Sequence, residues 1–180
     1  QITIYEAEEN LVNPKIISTN DNSLLIYAYE YCYTPGSTAI EGCKIRDHFF
    51  KIDNEGEILW HNTYDTFKGS PPELMKENED GTFTMVSRIW GSSTCNGVIA
   101  LGYNHKFEVY TIDNEGNRIS NVIYPTSCEM ELIDVKTLSD DSIIALVYYS
   151  GIGSNSFAET RLMLLNNQGA VVNEVGIGHR

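Results

Sequence analysis

KIDNEGEILW, residues 51–60, returns as TIDNEGNRIS at 111–120 and more faintly as LLNNQGAVVN at 164–173. The copies lie 60 and then 53 residues apart, so a single supersecondary unit is used several times. A second landmark keeps nearly the same register. Asp21-Asn22-Ser23, Asp80-Gly81-Thr82 and Asp140-Asp141-Ser142 are spaced by 59 and 60 residues, and each runs straight into an apolar stretch: LLIYAYEY, FTMVSRIW and IIALVYYS. Asx-Gly turns between β-rich runs are hairpin signals, because Gly and Asn tolerate the positive φ that such turns need. Each unit is therefore predicted as strand, Asp-led turn, long apolar strand, variable loop, strand ending in Ile or Leu, Gly-containing turn and last strand.

Leu24 to Tyr31 and Ile143 to Tyr149 are almost continuously apolar or aromatic instead of alternating, which predicts strands buried on both faces and sheets covered on both sides. A four-stranded antiparallel meander stacked on its neighbours is a β-propeller blade. The expected fold is all-β, a β-propeller with about three blades present, within a larger or oligomeric propeller; a β-sandwich is the alternative. The predicted divisions are 1–12 as an orphan outer strand and linker, and 13–66, 67–126 and 127–180 as three blades. Tyr5, Tyr64 and Tyr124 fall at offsets of 59 and 60, which aligns residues 2–7 with the last strand of a unit. Three blades are too few for comfortable closure, since propellers run from about four to eight. The expectation is a longer chain or closure by oligomerisation.

The pattern Asp-x-x-Gly-x-x-x-Trp, whole in Asp53, Gly56 and Trp60, resembles the blade repeats of secreted bacterial propellers, including PQQ-like and related repeat families. Ser120 and Asn173 replace the tryptophan in the other two units. The resemblance covers all three units and implies a propeller. It spans quinone enzymes, assembly scaffolds and adhesive modules alike, and the further quinone- and metal-binding residues are not found here.

With 12 basic against 25 acidic residues the formal charge is −13, which argues against nucleic acid and anionic membrane as partners. No run of 18 apolar residues occurs, so no membrane insertion is expected. Acidic clusters at Glu6–Glu9, Glu77–Asp80 and Asp140-Asp141 lack the spaced oxygen ligands of a tight calcium loop and are taken as turns. No metal or cofactor is expected. Cys32 and Cys43 flank the variable loop of the first unit, where neighbouring strands leave a sheet, and are predicted to form a disulfide. Cys95, placed in the corresponding loop of the second unit, and Cys128, in the connection into the third, are the remaining pair. Two disulfides imply an oxidising setting: extracellular, cell-surface or periplasmic.

The four histidines, His48, His61, His105 and His179, are scattered, and no nucleophile elbow, P-loop or HExxH string occurs. No catalytic residue is assigned. Tyr31, Tyr33, Arg88, Trp90, Tyr148 and Tyr149 stand where the long strands enter the loop face, and aromatic side chains there suit protein contacts or carbohydrate stacking. The expected function is a non-catalytic extracytoplasmic binding or assembly scaffold. The alternatives are a carbohydrate-binding module, or part of a propeller enzyme, a glycosidase or a quinone enzyme, whose active site lies elsewhere.

Overall fold

A computed structural model of the protein describes residues 11–30, 45–66, 71–95, 98–124, 129–150 and 158–179. Among the described residues, twelve strands form three four-stranded antiparallel sheets, each a meander of consecutive strands. The first holds β1 (Leu11–Ser18), β2 (Leu24–Glu30), β3 (Ile45–Ile52) and β4 (Ile58–Thr66). The second holds β5 (Leu74–Glu77), β6 (Phe83–Cys95), β7 (Val98–Ile112) and β8 (Arg118–Tyr124). The third holds β9 (Glu129–Thr137), β10 (Ile143–Ser150), β11 (Ala158–Leu165) and β12 (Val171–His179). The expected all-β, blade-like architecture is present. Residues 2–7, with Tyr5, lie outside the described residues.

The turn chemistry repeats as closely as the sequence. Asn22, Gly81 and Asp141 occupy one position in the first turn of each sheet, and all have positive φ, at 63°, 79° and 63°. Gly56, Gly116 and Gly169 do the same in the second turn, at 92°, 83° and 85°. In both turns the residue with positive φ donates its N–H back three residues, as Gly56 does to the Asp53 carbonyl at 3.2 Å and Asn22 to Thr19 at 3.1 Å. This is a type I turn closed by a left-handed residue, which matches the twist of the flanking strands. In the second turns of the first and third sheets the leading Asx side chain caps the turn from inside. Asp53 Oδ1 accepts from the Glu55 and Glu57 N–H groups at 3.0 and 2.8 Å, and Asn166 Oδ1 accepts from Gln168 and Ala170 at 3.1 and 2.8 Å.

Chain contacts divide the protein into two compact units: residues 1–71 with 115–117, and the remainder. In the first unit Leu25, Tyr27 and Phe49 are fully buried, while Ile26, Phe50 and Ile52 form an apolar cluster with Leu11 and Leu24 beside it. The Tyr27 hydroxyl donates to buried Asp47 at 2.8 Å. The segment Glu115–Asn117 belongs to this unit: Asn62 donates to the Glu115 carbonyl at 3.1 Å, and the Tyr64 hydroxyl donates to the Gly116 carbonyl.

In the second unit the third sheet packs on the second through one shared core. Val86, Phe107 and Val109 meet Leu132, Ala145 and Val147, each at most 1% exposed. Burial of each such side chain contributes on the order of 1.5–3 kcal/mol for the larger ones. Polar contacts fix the edges of this stack. Tyr124 donates through its hydroxyl to the Gly169 carbonyl, and Thr84 Oγ1 to the Asn167 carbonyl at 3.2 Å. Lys76 Nζ donates to the Asp141 carbonyl and carboxylate at 2.9 and 2.7 Å.

Two expectations are corrected. β10 was expected to be buried on both faces, yet Ile143, Ala145 and Val147 are fully buried while Ile144, Leu146 and Tyr148 are only half-buried. A continuous apolar run records what a strand could bury, and among the described residues only one face of this one packs on another sheet. The second unit's variable loop is a hairpin extension instead: β6 and β7 continue to the pair Cys95↔Val98, with the β-branched Thr94, Val98 and Ile99 favouring strand there. Cys95 is thus a strand residue.

Candidate functional site

The six predicted loop-face residues fare differently. Tyr31 and Tyr33 lie outside the described residues. Trp90 sits in β6 opposite His105 in the ladder, with its side chain outside them. Arg88 is half-buried, its guanidinium 3.1 Å from Glu73. Tyr148 lies on the face of β10 that also carries Ile144 and Leu146, in register with Glu131 and Thr160. Tyr149 points to the opposite face, where Arg161 lies 4.8 Å over its ring and its hydroxyl donates to Glu174 at 3.2 Å. Burial, then the Glu174 carboxylate, push that hydroxyl well above its ordinary pKa. Arg161 also bonds Glu159 at 2.7 Å and Glu174 at 3.0 Å. Tyr149 is therefore engaged within its own sheet. Cys32, Cys43 and Cys128 lie outside the described residues, as does the side chain of Cys95, so both expected disulfides do too.

The acidic turns are engaged as well. Lys51 beside Asp21, helped by the Thr19 hydroxyl, holds that carboxyl far below the usual range; Lys76 lowers Asp141 in the same way. Hydroxyl and N–H donors of Thr82 and Ser142 lower Asp80 and Asp140. Among the described residues no group of three His, Cys, Asp or Glu stands together to hold a metal ion. Asn78, Asp80, Thr82 and Gln168 help line a polar hollow of about 140 Å³ in the second unit, room for a few waters.

The largest surface feature that sequence reading missed is the outer face of the third sheet. Strand alternation puts Ile144 and Leu146 of β10, Leu162 and Leu164 of β11 and Val175 of β12 on the side opposite the shared core. A hollow of about 370 Å³ lies over Leu138, Ile144, Leu162, Leu164, Asn173 and Val175. A second, of about 190 Å³, continues over Ile144, Leu146 and Leu162 to Asp134 and Lys136 at the rim. On β12, Val171, Val172, Val175 and Ile177 are 44–61% exposed. The surface is apolar at its centre, with an Asp134–Lys136 ion pair of 3.5 Å at its edge. Among the described residues its lining is hydrocarbon apart from Asn173 and the Asp134 and Lys136 side chains at the rim. The pairing of Leu162 with Leu164 in RLMLLN carried the signal in the sequence.

Compared with known proteins, the chain matches no family model and no curated protein.

Proposed function

We propose that this protein is a non-catalytic binding and assembly module of blade-like repeats, and that its working surface is the outer face of the third sheet. The observation that carries this reading is the contiguous apolar patch of Ile144, Leu146, Leu162, Leu164 and Val175. Soluble proteins seldom leave such a patch open without a partner for it. The four cysteines support an extracytoplasmic setting, and the charge of −13 supports a partner that is neither nucleic acid nor anionic lipid. Tyr148 continues the Ile144 and Leu146 side of β10 and adds a polar hydroxyl to that face.

A face of this kind is either free, and then binds an apolar dye, or covered by a protein, and then drives association. Light scattering and anilinonaphthalene sulfonate fluorescence on the purified chain separate the two states. One of the two signals is expected, and Leu162→Asp should remove it. A wild-type chain that is monomeric and binds no dye overturns the proposal.

A further inference from the structure

The repeat sets each side chain of the second sheet beside the one in the same place in the first. Lys51 pairs with Trp60 in the first sheet, and Thr111 pairs with Ser120 at the same register in the second. Asp21 and Asp80 hold one position in the first turn of each sheet. In the first sheet these three residues complete one another. Lys51, 3% exposed, donates through Nζ to Asp21 Oδ2 at 2.8 Å. The Trp60 ring lies against Gly116, where a Cβ on that glycine would stand 2.7 Å away.

The second sheet keeps the carboxylate and shortens both partners. Thr111 ends where a lysine stem would continue, and Ser120 has a hydroxymethyl group in place of the indole. Both line the polar hollow of about 140 Å³, together with Asp80, Ile119 and Gln168. Thr111 is 5% exposed, and its Oγ1 and the Ser120 Oγ are buried with no hydrogen-bond partner among the described residues, a costly condition for a hydroxyl. Asp80 accepts from the Thr82 N–H and hydroxyl at 3.0 and 2.6 Å, both through Oδ1. These donors hold its carboxyl below the usual range, so it is ionised at neutral pH. The bond that Asp21 makes through Oδ2 to a lysine has no counterpart at Asp80 among the described residues.

The geometry points to this hollow as a binding site for a primary alkylammonium group, seated as the Lys51 ammonium is seated beside Asp21. Such a group has three donors and no acceptor, and Asp80 Oδ2, Thr111 Oγ1 and Ser120 Oγ are three acceptors in the lining. One carboxylate matches its one charge, and charge-assisted bonds are the stronger kind. The volume, about 140 Å³, is between four and five times the ~30 Å³ share of one water in the liquid, which suits the five or so heavy atoms of an aminobutyl chain. Ile119, 57% exposed, gives that chain an apolar surface to lie along. A calcium ion fits less well, because Asp80 is the only carboxylate in the lining. In the third sheet Leu164 and Asn173 hold the positions of Thr111 and Ser120, so the paired hydroxyls belong to the second sheet. The hollow shares no lining residue with the outer face of the third sheet and goes beyond the function proposed for that face.

The test is a titration of isotope-labelled protein with n-butylammonium chloride at constant ionic strength, read from the amide resonances of Asp80, Thr111 and Ser120. The readout is local because a chain of charge −13 gathers any cation loosely. Saturable shifts at these residues are expected, with n-butanol, sodium and calcium each binding weaker by about tenfold or more. Asp80 is exposed, and Asp80→Asn keeps an Oδ1 acceptor for Thr82, so this variant should fold and lose affinity by about tenfold or more. Thr111→Lys supplies the ammonium from within the chain; it should abolish the shifts and raise the melting temperature. Nα-acetyl-lysine methylamide identifies the source of the amine: tighter binding than n-butylammonium assigns the site to a lysine side chain of a protein, and equal or weaker binding to a free amine. Shifts that fail to saturate, that n-butanol or either metal ion reproduces, or that persist in Asp80→Asn overturn the site.

Discussion

Gly56, Gly116 and Gly169 form a matched series in which one substitution separates backbone strain from sheet packing. Their φ values, 92°, 83° and 85°, are nearly equal, so replacing each with alanine puts a Cβ into the left-handed region at a similar cost, roughly 1–2 kcal/mol. The surroundings differ. At Gly56 the new methyl meets nothing among the described residues. At Gly169 it would stand 2.8 Å from Val109 Cβ and 3.1 Å from Cγ1, stiff β-branched atoms in a filled core, which adds roughly 1–3 kcal/mol of overpacking. At Gly116 it would meet the Asn62 amide at 2.6 Å and the Trp60 ring at 2.7 Å, of which the amide can move aside. Gly169→Ala is therefore expected to cost about 2–5 kcal/mol against about 1–2 for Gly56→Ala, with Gly116→Ala between them. Urea unfolding followed by circular dichroism resolves this. With a slope of about 1–3 kcal/mol per molar, the Gly169 midpoint should fall below the Gly56 midpoint by about 1 M. Coincident midpoints for the two variants would refute the lodged turn.

The Tyr124 hydroxyl bonds a backbone carbonyl, so Tyr124→Phe should lower stability by about 1 kcal/mol, and Tyr64→Phe by a similar amount in the first unit; urea midpoints check both. Asp21, Asp80, Asp140 and Asp141 all have lowered carboxyl pKa values, so their stabilisation is present above the unfolded value of about 3.9 and is lost as pH falls below it. Melting temperature should therefore drop steeply below about pH 4, and Asp141→Asn should flatten that drop. Tyr124 and Tyr149 have raised hydroxyl pKa values, so their contribution is intact below about pH 10 and is lost above it. Absorbance titration of tyrosinate should show one late-ionising phase fewer in Tyr149→Phe. Under denaturing conditions, unreduced protein should show no free thiol if Cys32–Cys43 and Cys95–Cys128 are disulfides; a count of four would move the protein out of an oxidising setting.

The three sheets were legible because turn chemistry is local. A positive φ needs Gly, Asn or Asp wherever it occurs, so Asn22, Gly81 and Asp141 mark one backbone event in the sequence. The exposed face was not legible, because IIALVYYS and LLIYAYEY have the same character whether one or two neighbours cover them. Burial on the second face depends on another sheet's presence, and strand composition cannot report it. The tyrosine latches were half legible: the 60-residue offset of Tyr64 and Tyr124 was visible, but its acceptor, the glycine carbonyl of a later turn, emerges only from packing. Tyr149 and Tyr148 are adjacent aromatics in the sequence, and alternation sends them to opposite faces with opposite fates.

Every sheet pairs each strand with the one synthesised just before it. Among the described residues no pairing has to wait for a distant part of the chain, and the entropic cost of closing each loop grows only slowly with its length. At a synthesis rate of about 5–20 residues per second, the first four-stranded meander can be complete while β5 is still being made. Each meander can thus pair its strands in the order in which they leave the ribosome, exposing little more than one unpaired edge at a time.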